Sequence, residues 1–336
     1  MNVDPAIATR VKAGEHMAIA RLITHIERRS AGVNEVLAQL HQHSGRAQVL
    51  GVTGPPGSGK STLVAAMTAR LRELGRTVGV IAVDPSSIFS GGAILGDRIR
   101  MADLSGDPGV YIRSIATRGA LGGLSRATLD AITVLDAAGM DVIILETVGV
   151  GQAEVDVLSA AQSIMVVSVP GMGDDVQALK AGLLEIADIH VVNKSDRDGA
   201  LRTVSELREM LRLSKRQAGQ WNIPIQLTTA IRGEGVSELI EQVDSHRAWM
   251  EKHGELERRA RRNSATRIRW LAEEIVHDRL KAGRPEFDFA VEEVTARRGD
   301  PMTAARQLID HHKHSFWPPT EGPEAQEDSN VRIENA

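Results

Sequence analysis

The chain has 336 residues, 42% of them hydrophobic and 25% charged, with a formal net charge of −4 and no cysteine. That length can bury a sizeable core, as one large domain with appendages or as two domains. The mild acidity argues against bulk nucleic-acid affinity. The lack of Cys rules out disulfides, thiolate metal ligands and a cysteine nucleophile, and suits a reducing cytoplasm.

The opening segment "MNVDPAIATRVKAGEHMAIA" mixes charge with apolar residues and lacks the shape of a secretory signal. No apolar run is long enough to span a bilayer. An aromatic content of 3% offers little for base stacking. Neither a nucleic-acid nor a membrane partner is expected. Residues 1–45 read as helical, with apolar positions at Ile7, Val11, Met17, Ile19, Leu22 and Ile23.

From 46 to 248, short apolar runs alternate with helical stretches. The runs are "QVLGV", "VGVIAV" (78–83), "VIIL" (142–145), "IMVVSV" (164–169), "IHVV" (189–192) and "IPIQL" (223–227). Runs apolar on both faces belong to buried, mostly parallel strands. The fold class expected is α/β, a doubly wound sheet whose ligands sit at the carboxyl ends of its strands.

The first run leads into "GVTGPPGSGKST", which begins at Gly51 and contains G-x-x-x-x-G-K-[ST]. Gly54, Pro55, Pro56, Gly57, Ser58, Gly59 and Thr62 would lie around the phosphate oxygens, the glycines letting the backbone N–H groups curl about them. Lys60 would reach the β- and γ-phosphates, and the Ser61 hydroxyl would hold Mg²⁺. "STLVAAMTARLRELG" then reads as an amphipathic helix stopped near Gly75. Strand, glycine loop and helix N-terminus together make an anion site. The competing reading is a plain Gly-Pro turn.

"VDPSS" places Asp84 at a strand end, suited to Mg²⁺ or to capping a helix. Asp97 follows in "GGAILGDRIRM", a Gly-rich segment read as mobile, where a carboxylate near the γ-phosphate would respond to nucleotide. In "VIILETVGVGQ" the strand ends at Glu146, which would orient metal-bound water, and the Gly149 amide would sense the γ-phosphate. Without the upstream loop this would be an ordinary strand exit. Val150 stands where many GTPases carry a water-orienting Gln, and Gln152 lies two residues on. Slow intrinsic hydrolysis is expected, completed by another element or a partner.

"VVNKSD" follows the next strand. The Asp196 carboxylate can accept from guanine N1–H and the 2-amino group, donors that adenine lacks there. The Lys194 stem can lie along the base, and Asn193 can tie this loop to the phosphate loop. "TTAIRGEG" would bring Thr229, Ala230 and Ile231 to the base, with the Ala230 N–H at guanine O6. His311, His312 and His314, and likewise His41 and His43, read as solvated surface histidines rather than nickel or zinc ligands.

From 249 to 314 the sequence is charge-rich and helical, with a stripe at Ile268, Leu271, Ile275 and Leu280 that must bury against something, such as a second subunit. Residues 315–336 are polar, rich in Pro and Glu, and read as a disordered tail.

Taken together, "VDPSS", "GGAILGDRIRM", "RSIATRGALGGLSRAT", "ETVGVGQAE" and "PGMGDDVQALKAG" resemble the MeaB/ArgK family of P-loop GTPases over roughly residues 10–290. The resemblance implies a SIMIBI-class P-loop NTPase fold, similar to the nickel-insertion GTPases, with a helical C-terminal dimerisation arm. It implies a homodimeric G-protein chaperone that hydrolyses GTP and serves an adenosylcobalamin-dependent acyl-CoA mutase, chiefly methylmalonyl-CoA mutase. Cofactor loading, removal and protection would be its task, without its holding cobalamin itself. By resemblance, Asp84, Asp97 and Glu146 match acidic metal-site and switch positions, and Gln177 and Lys180 fall in an additional switch. This chain departs from the family within "GPPGSGKS", where a Val is more usual in the loop, in "GGAIL", where "GGSIL" is usual, and after Arg113, where Pro is usual. Two other readings compete: a kinase-type phosphotransferase, an old transport-kinase label, and a nickel-delivery GTPase. The switch segments favour the chaperone.

Overall fold

A computed structural model describes residues 3–84, 104, 106–116, 126–147, 160–171, 186–213 and 219–310. They form two compact units, Met1–Thr266 and Arg267–Ala336. The expected Asp97, Gly149, Gln152, Gln177, Lys180, His311, His312, His314 and the tail at 315–336 lie outside the described residues.

Among the described residues, the first unit is built on seven strands: β1 (Gln48–Thr53), β2 (Val78–Asp84), β3 (Val110–Ala116), β4 (Val142–Thr147), β5 (Ser163–Ser168), β6 (Ile189–Val192) and β7 (Ile225–Leu227). The sheet order is β3-β2-β4-β1-β5-β6-β7, and every pairing is parallel. β1, β4, β5 and β6 are buried along their whole length, as strands covered on both faces must be. β3 escapes a search for apolar runs because Arg113 and Ser114 interrupt it. Its β-branched Val110, Ile112 and Ile115 still pair with β2 from Val78 to Asp84.

Seven described helices belong to this unit: α1 (Ile7–Lys12), α2 (His16–Glu27), α3 (Val33–His41), α4 (Lys60–Glu73), α5 (Arg126–Ala137), α6 (Ala200–Leu213) and α7 (Val236–Lys252). α4 and α7 cover one face. Leu63, Val64, Met67 and Leu71 of α4 and Leu239, Ile240 and Val243 of α7 interleave with Val52, Val80, Ile144, Met165 and Val191. Burying each such side chain stabilises the fold by about 1.5–3 kcal/mol. α4 is therefore held firmly enough to fix its N-terminus at the sheet. It ends where Gly75 takes φ 78° and the Arg76 N–H caps the Leu71 carbonyl. α5 lies on the opposite face, where a Cβ at Gly79 would sit 2.8 Å from Leu135. α2 and α3 pack on α5, and α2 is tied to the sheet by an ion pair between Glu27 and Arg113.

The lower, amino-terminal edge of the sheet has its own anchor. Helix α8 (Glu255–Arg279) starts within the first unit, and Arg259 Nη1 and Nη2 reach the Asp188 carboxylate at 2.7 and 2.6 Å. Arg259 also donates to the Gln162 carbonyl at 2.7 Å, and Asp188 accepts the Ile164 N–H at 2.9 Å. Beside them the buried His246 meets Ser163 Oγ through Nδ1 at 2.8 Å.

The second unit holds the rest of α8, α9 (Pro285–Thr295) and α10 (Pro301–Asp310). No residue of α8 or α9 is buried. Of the expected stripe, Ile268 is 68% and Ile275 51% exposed, and Phe289, Met302 and Ile309 are exposed as well. A groove of about 1030 Å³ runs between these helices, with Leu280, Phe289, Val294 and Leu308 in its lining.

Candidate functional site

The candidate site sits at the carboxyl ends of β1, β4 and β6. Past Thr53, Gly54 takes φ 146°, and a Cβ there would collide with the Val167 carbonyl oxygen of the neighbouring β5. Only glycine lets the loop leave the sheet this close to β5. The turn closes through Ser58 N–H to the Pro55 carbonyl at 3.2 Å. Gly59, at φ 86°, caps α4, and a Cβ on it would lie 2.5 Å from Asn193 Nδ2. Pro55 is buried, Pro56 and Gly57 are exposed, and Thr62 is half-buried in the first turn of α4.

Lys60 is buried, and its Nζ donates to the Gly54 and Pro55 carbonyls at 2.8 and 3.0 Å. The ammonium is thus folded over the loop it would hold open around phosphate. Ser61 Oγ donates to Glu146 Oε1 at 2.5 Å, and both residues are buried. Phosphate-loop hydroxyl and strand-end carboxylate, 85 residues apart in sequence, form one cluster of hard oxygen donors. Asp84 ends β2 next to β4, where Ala82 is in register with Glu146. Its side chain lies outside the described residues.

The NKSD loop is tied to the phosphate loop through Asn193, which is buried. Its Nδ2 donates to the Ser58 carbonyl at 2.9 Å. Its Oδ1 accepts Thr228 Oγ1 at 3.2 Å and the Ala230 N–H at 3.1 Å. One side-chain amide therefore locks three loops. Lys194, at φ 55°, sends its Nζ to the Gly57 carbonyl at 2.7 Å, laying its stem between the two loops. Ser195 N–H bonds the Thr228 carbonyl at 3.0 Å, and the Ser195 and Thr229 hydroxyls meet at 3.1 Å.

The rim carries charge. Asp196 Oδ2 lies 3.8 Å from Arg232 Nη1. Arg232 is in turn gripped by Glu234 through two bonds of 2.9 and 3.2 Å. These bonds and the attraction between the two charges raise the Arg232 pKa above its ordinary value and hold the Glu234 carboxyl below its own. Ile231 stands 85% exposed beside them.

The structure therefore brings Gly54 to Thr62, Glu146, Asn193, Lys194, Asp196, Thr229, Ala230 and Ile231 to one end of the sheet. Thr228, Arg232 and Glu234 join them at this end without having stood out in the sequence. Doubled threonine ahead of the Ala, directly after an apolar run, is the available signal for Thr228. For an Arg-x-Glu rim no residue pattern stands out. Among the described residues no group of three His, Cys, Asp or Glu side chains could hold a metal ion by itself.

Comparison with known proteins agrees with this architecture. The model of the family described as "Methylmalonyl Co-A mutase-associated GTPase MeaB" matches residues 19–285. A Pyrococcus abyssi protein described by name as a GTPase is 46% identical over 305 residues, 89% of this chain and 94% of that protein. Escherichia coli GTPase ArgK is 34% identical over 319 residues, 92% of this chain and 96% of that protein. The mouse protein named methylmalonic aciduria type A homolog, mitochondrial, is 40% identical over 210 residues, 62% of this chain and 51% of that protein. A solved structure named as a LAO/AO transport system kinase superposes with a TM-score of 0.67 at 26% identity, covering 93% of this chain and 99% of that one. The chain belongs to the methylmalonyl Co-A mutase-associated GTPase MeaB family, and its chemistry is the binding and hydrolysis of GTP.

Proposed function

We propose that this GTPase is a G-protein chaperone for an adenosylcobalamin-dependent acyl-CoA mutase, methylmalonyl-CoA mutase or a close relative, and that GTP times cofactor loading, removal and protection. The family match supports the mutase partnership, and so does the likeness to the mouse methylmalonic aciduria type A homolog. The observation that carries the nucleotide half is the lock made by Asn193, which joins a phosphate loop to a guanine-reading loop through one side chain.

In this reading the backbone N–H groups from Gly57 to Thr62 cradle the phosphates, and Lys60 swings from the Gly54 and Pro55 carbonyls to the β- and γ-phosphates. Asp196 accepts from the guanine edge, Lys194 covers the base, and Thr229, Ala230 and Ile231 line its far side. The Ala230 N–H, which donates to Asn193, is shared with guanine O6. The buried Ser61 hydroxyl and Glu146 carboxylate are the hard oxygen donors that Mg²⁺ takes. Together with Asp84 and Asp97 they would hold the ion, which when bound neutralises charge developing on the phosphates. Glu146 also orders water there. Gly149 and Gln152 act at the γ-phosphate, and Gln177 and Lys180 relay the nucleotide state to the mutase. Hydrolysis is slow until the mutase completes the site.

The second unit suits self-association. A helical arm of this size with no buried residue in α8 or α9 cannot hold its own shape at low free energy. Its exposed Ile268, Ile275 and Phe289 fit burial against a second copy in a homodimer. A cytoplasmic setting fits the cysteine-free composition. The reading is tested by size-exclusion chromatography of the chain alone and with a purified mutase from the same source, in GDP and in a non-hydrolysable GTP analogue. A dimer that co-elutes with the mutase in one nucleotide state supports it. Separate elution with every candidate mutase in both states contradicts the partnership.

A further inference from the structure

Asp196 does not face solvent alone. Arg232 Nη1 lies 3.8 Å from its Oδ2, too far for a hydrogen bond but close enough for an ion pair. The guanidinium is fixed there by Glu234, which accepts from Nε and Nη2 at 2.9 and 3.2 Å. The loop between them cannot drift, because the Thr229 N–H donates to the Glu234 carbonyl at 3.0 Å. Gly235 adds to this, since a Cβ there would collide with the Leu227 carbonyl oxygen. A carboxylate, a guanidinium and a second carboxylate thus stand in a row, and the first of them is the group assigned to the guanine edge.

We propose that Arg232 is a specificity-determining residue that acts through Asp196, and that Glu234 sets how much of its charge Asp196 feels. This rests on the reading of Asp196 as the guanine acceptor. A cation beside that carboxylate weakens its attraction for the partly positive N1–H and 2-amino hydrogens of guanine. The same cation softens the repulsion that Asp196 exerts on a purine carrying a 2-oxo group, as xanthine does. Arg232 therefore lowers guanine-nucleotide affinity and lowers the preference for guanine over xanthine. Glu234 limits both effects by holding most of the guanidinium's donors for itself. The consequence for the cycle is easier GDP release without loss of the base-reading contacts.

Two substitutions of opposite sign test this. Arg232→Ala removes the cation, and GDP should bind about twofold to fivefold more tightly at low salt, the range expected of a half-exposed ion pair. The ratio of GDP to XDP affinity should rise with it. Glu234→Gln frees the guanidinium for Asp196, so GDP should bind more weakly than to the unaltered chain. Arg232→Lys should retain most of the original affinity. All differences should fade in about 1 M salt, where the screening length is about 3 Å, below the Arg232–Asp196 separation. A loop merely loosened by substitution would lose affinity in both variants, so a gain in Arg232→Ala separates charge from structure. GDP affinity that falls or stays unchanged in Arg232→Ala overturns the proposal. Asp196→Ala separates the two levels: loss of the preference for GDP over ADP upholds the guanine reading whatever Arg232 does, whereas an unchanged preference removes that reading and this proposal together.

Discussion

Asn193 Nδ2 donates to the Ser58 carbonyl at 2.9 Å, so the NKSD loop is tied directly to the glycine-rich loop that follows β1. The same side chain takes the Ala230 N–H and the Thr228 hydroxyl on its oxygen. Asn193→Ala leaves the Ala230 N–H and the Ser58 carbonyl without these partners in a buried setting, at about 1–3 kcal/mol for each orphaned group. GDP affinity is expected to fall by at least about tenfold and the thermal midpoint to drop with it, read by calorimetric titration and by thermal unfolding. Asn193→Asp should fare no better, because a carboxylate oxygen would face the Ser58 carbonyl. A variant with undiminished GDP affinity would show that the loops are held together by something else.

Two glycines in the phosphate loop should differ sharply. Gly54→Ala drives a Cβ into the Val167 backbone at φ 146°, where neither partner can yield without shifting a strand. Gly57→Ala meets open space and carries only the left-handed penalty at φ 75°, about 1–2 kcal/mol. In the absence of nucleotide, Gly54→Ala should lower the unfolding midpoint in urea well beyond Gly57→Ala. Equal midpoints would contradict the close approach of the loop to β5.

Lys60→Ala should abolish GTP hydrolysis while leaving a folded chain, since the substitution removes no side chain of the apolar core that holds the sheet and its helices together. Phosphate release and circular dichroism measured on the same sample check both halves. A folded variant with full turnover would remove Lys60 from the catalytic site.

His246 sets a pH dependence of stability. Burial pushes its pKa down to about 4. The attraction of Asp188, 3.4 Å from Nε2, opposes that shift but is blunted by Arg259, and Glu255 adds a smaller pull upward. The unfolded chain takes up the proton near pH ~6.5 and the folded chain only near about 4. The stability that neutral His246 provides is therefore complete above about pH 6.5 and is lost as pH falls toward about 4, a change of about 3 kcal/mol. Urea unfolding from about pH 7.5 to about 4 should show this decline, and His246→Phe should flatten it. An unchanged slope in that variant would assign the acid sensitivity to other groups.

The residues legible in the sequence were those whose chemistry demands fixed types at fixed spacing. Gly54, Lys60, Ser61, Asn193 and Asp196 stand out by the residue types and spacing that a phosphate site and a guanine site would require, and strands such as 142–145 follow from unbroken apolar runs buried on both faces. What stayed hidden depends on contacts between distant loops. The hydroxyl of Thr228 matters only because Asn193 Oδ1 turns toward it, and Arg232 only because a tight glycine turn swings it to Asp196. β3 was hidden for a different reason. At the sheet edge one polar residue can face solvent and another, Arg113, can pair with Glu27 of a covering helix, so the run loses its apolar signature. The stripe at Ile268 and Ile275 was visible as a pattern, but helical periodicity cannot say what covers it.

The most direct test of the central claim is the rate of GTP turnover by the chain alone and with a purified adenosylcobalamin-dependent acyl-CoA mutase from the same source. A slow basal rate should rise when the mutase is added, with no rise for the Lys60→Ala chain. A basal rate that no candidate mutase changes would leave a GTPase whose timer serves some other partner, and would contradict the chaperone function proposed for it.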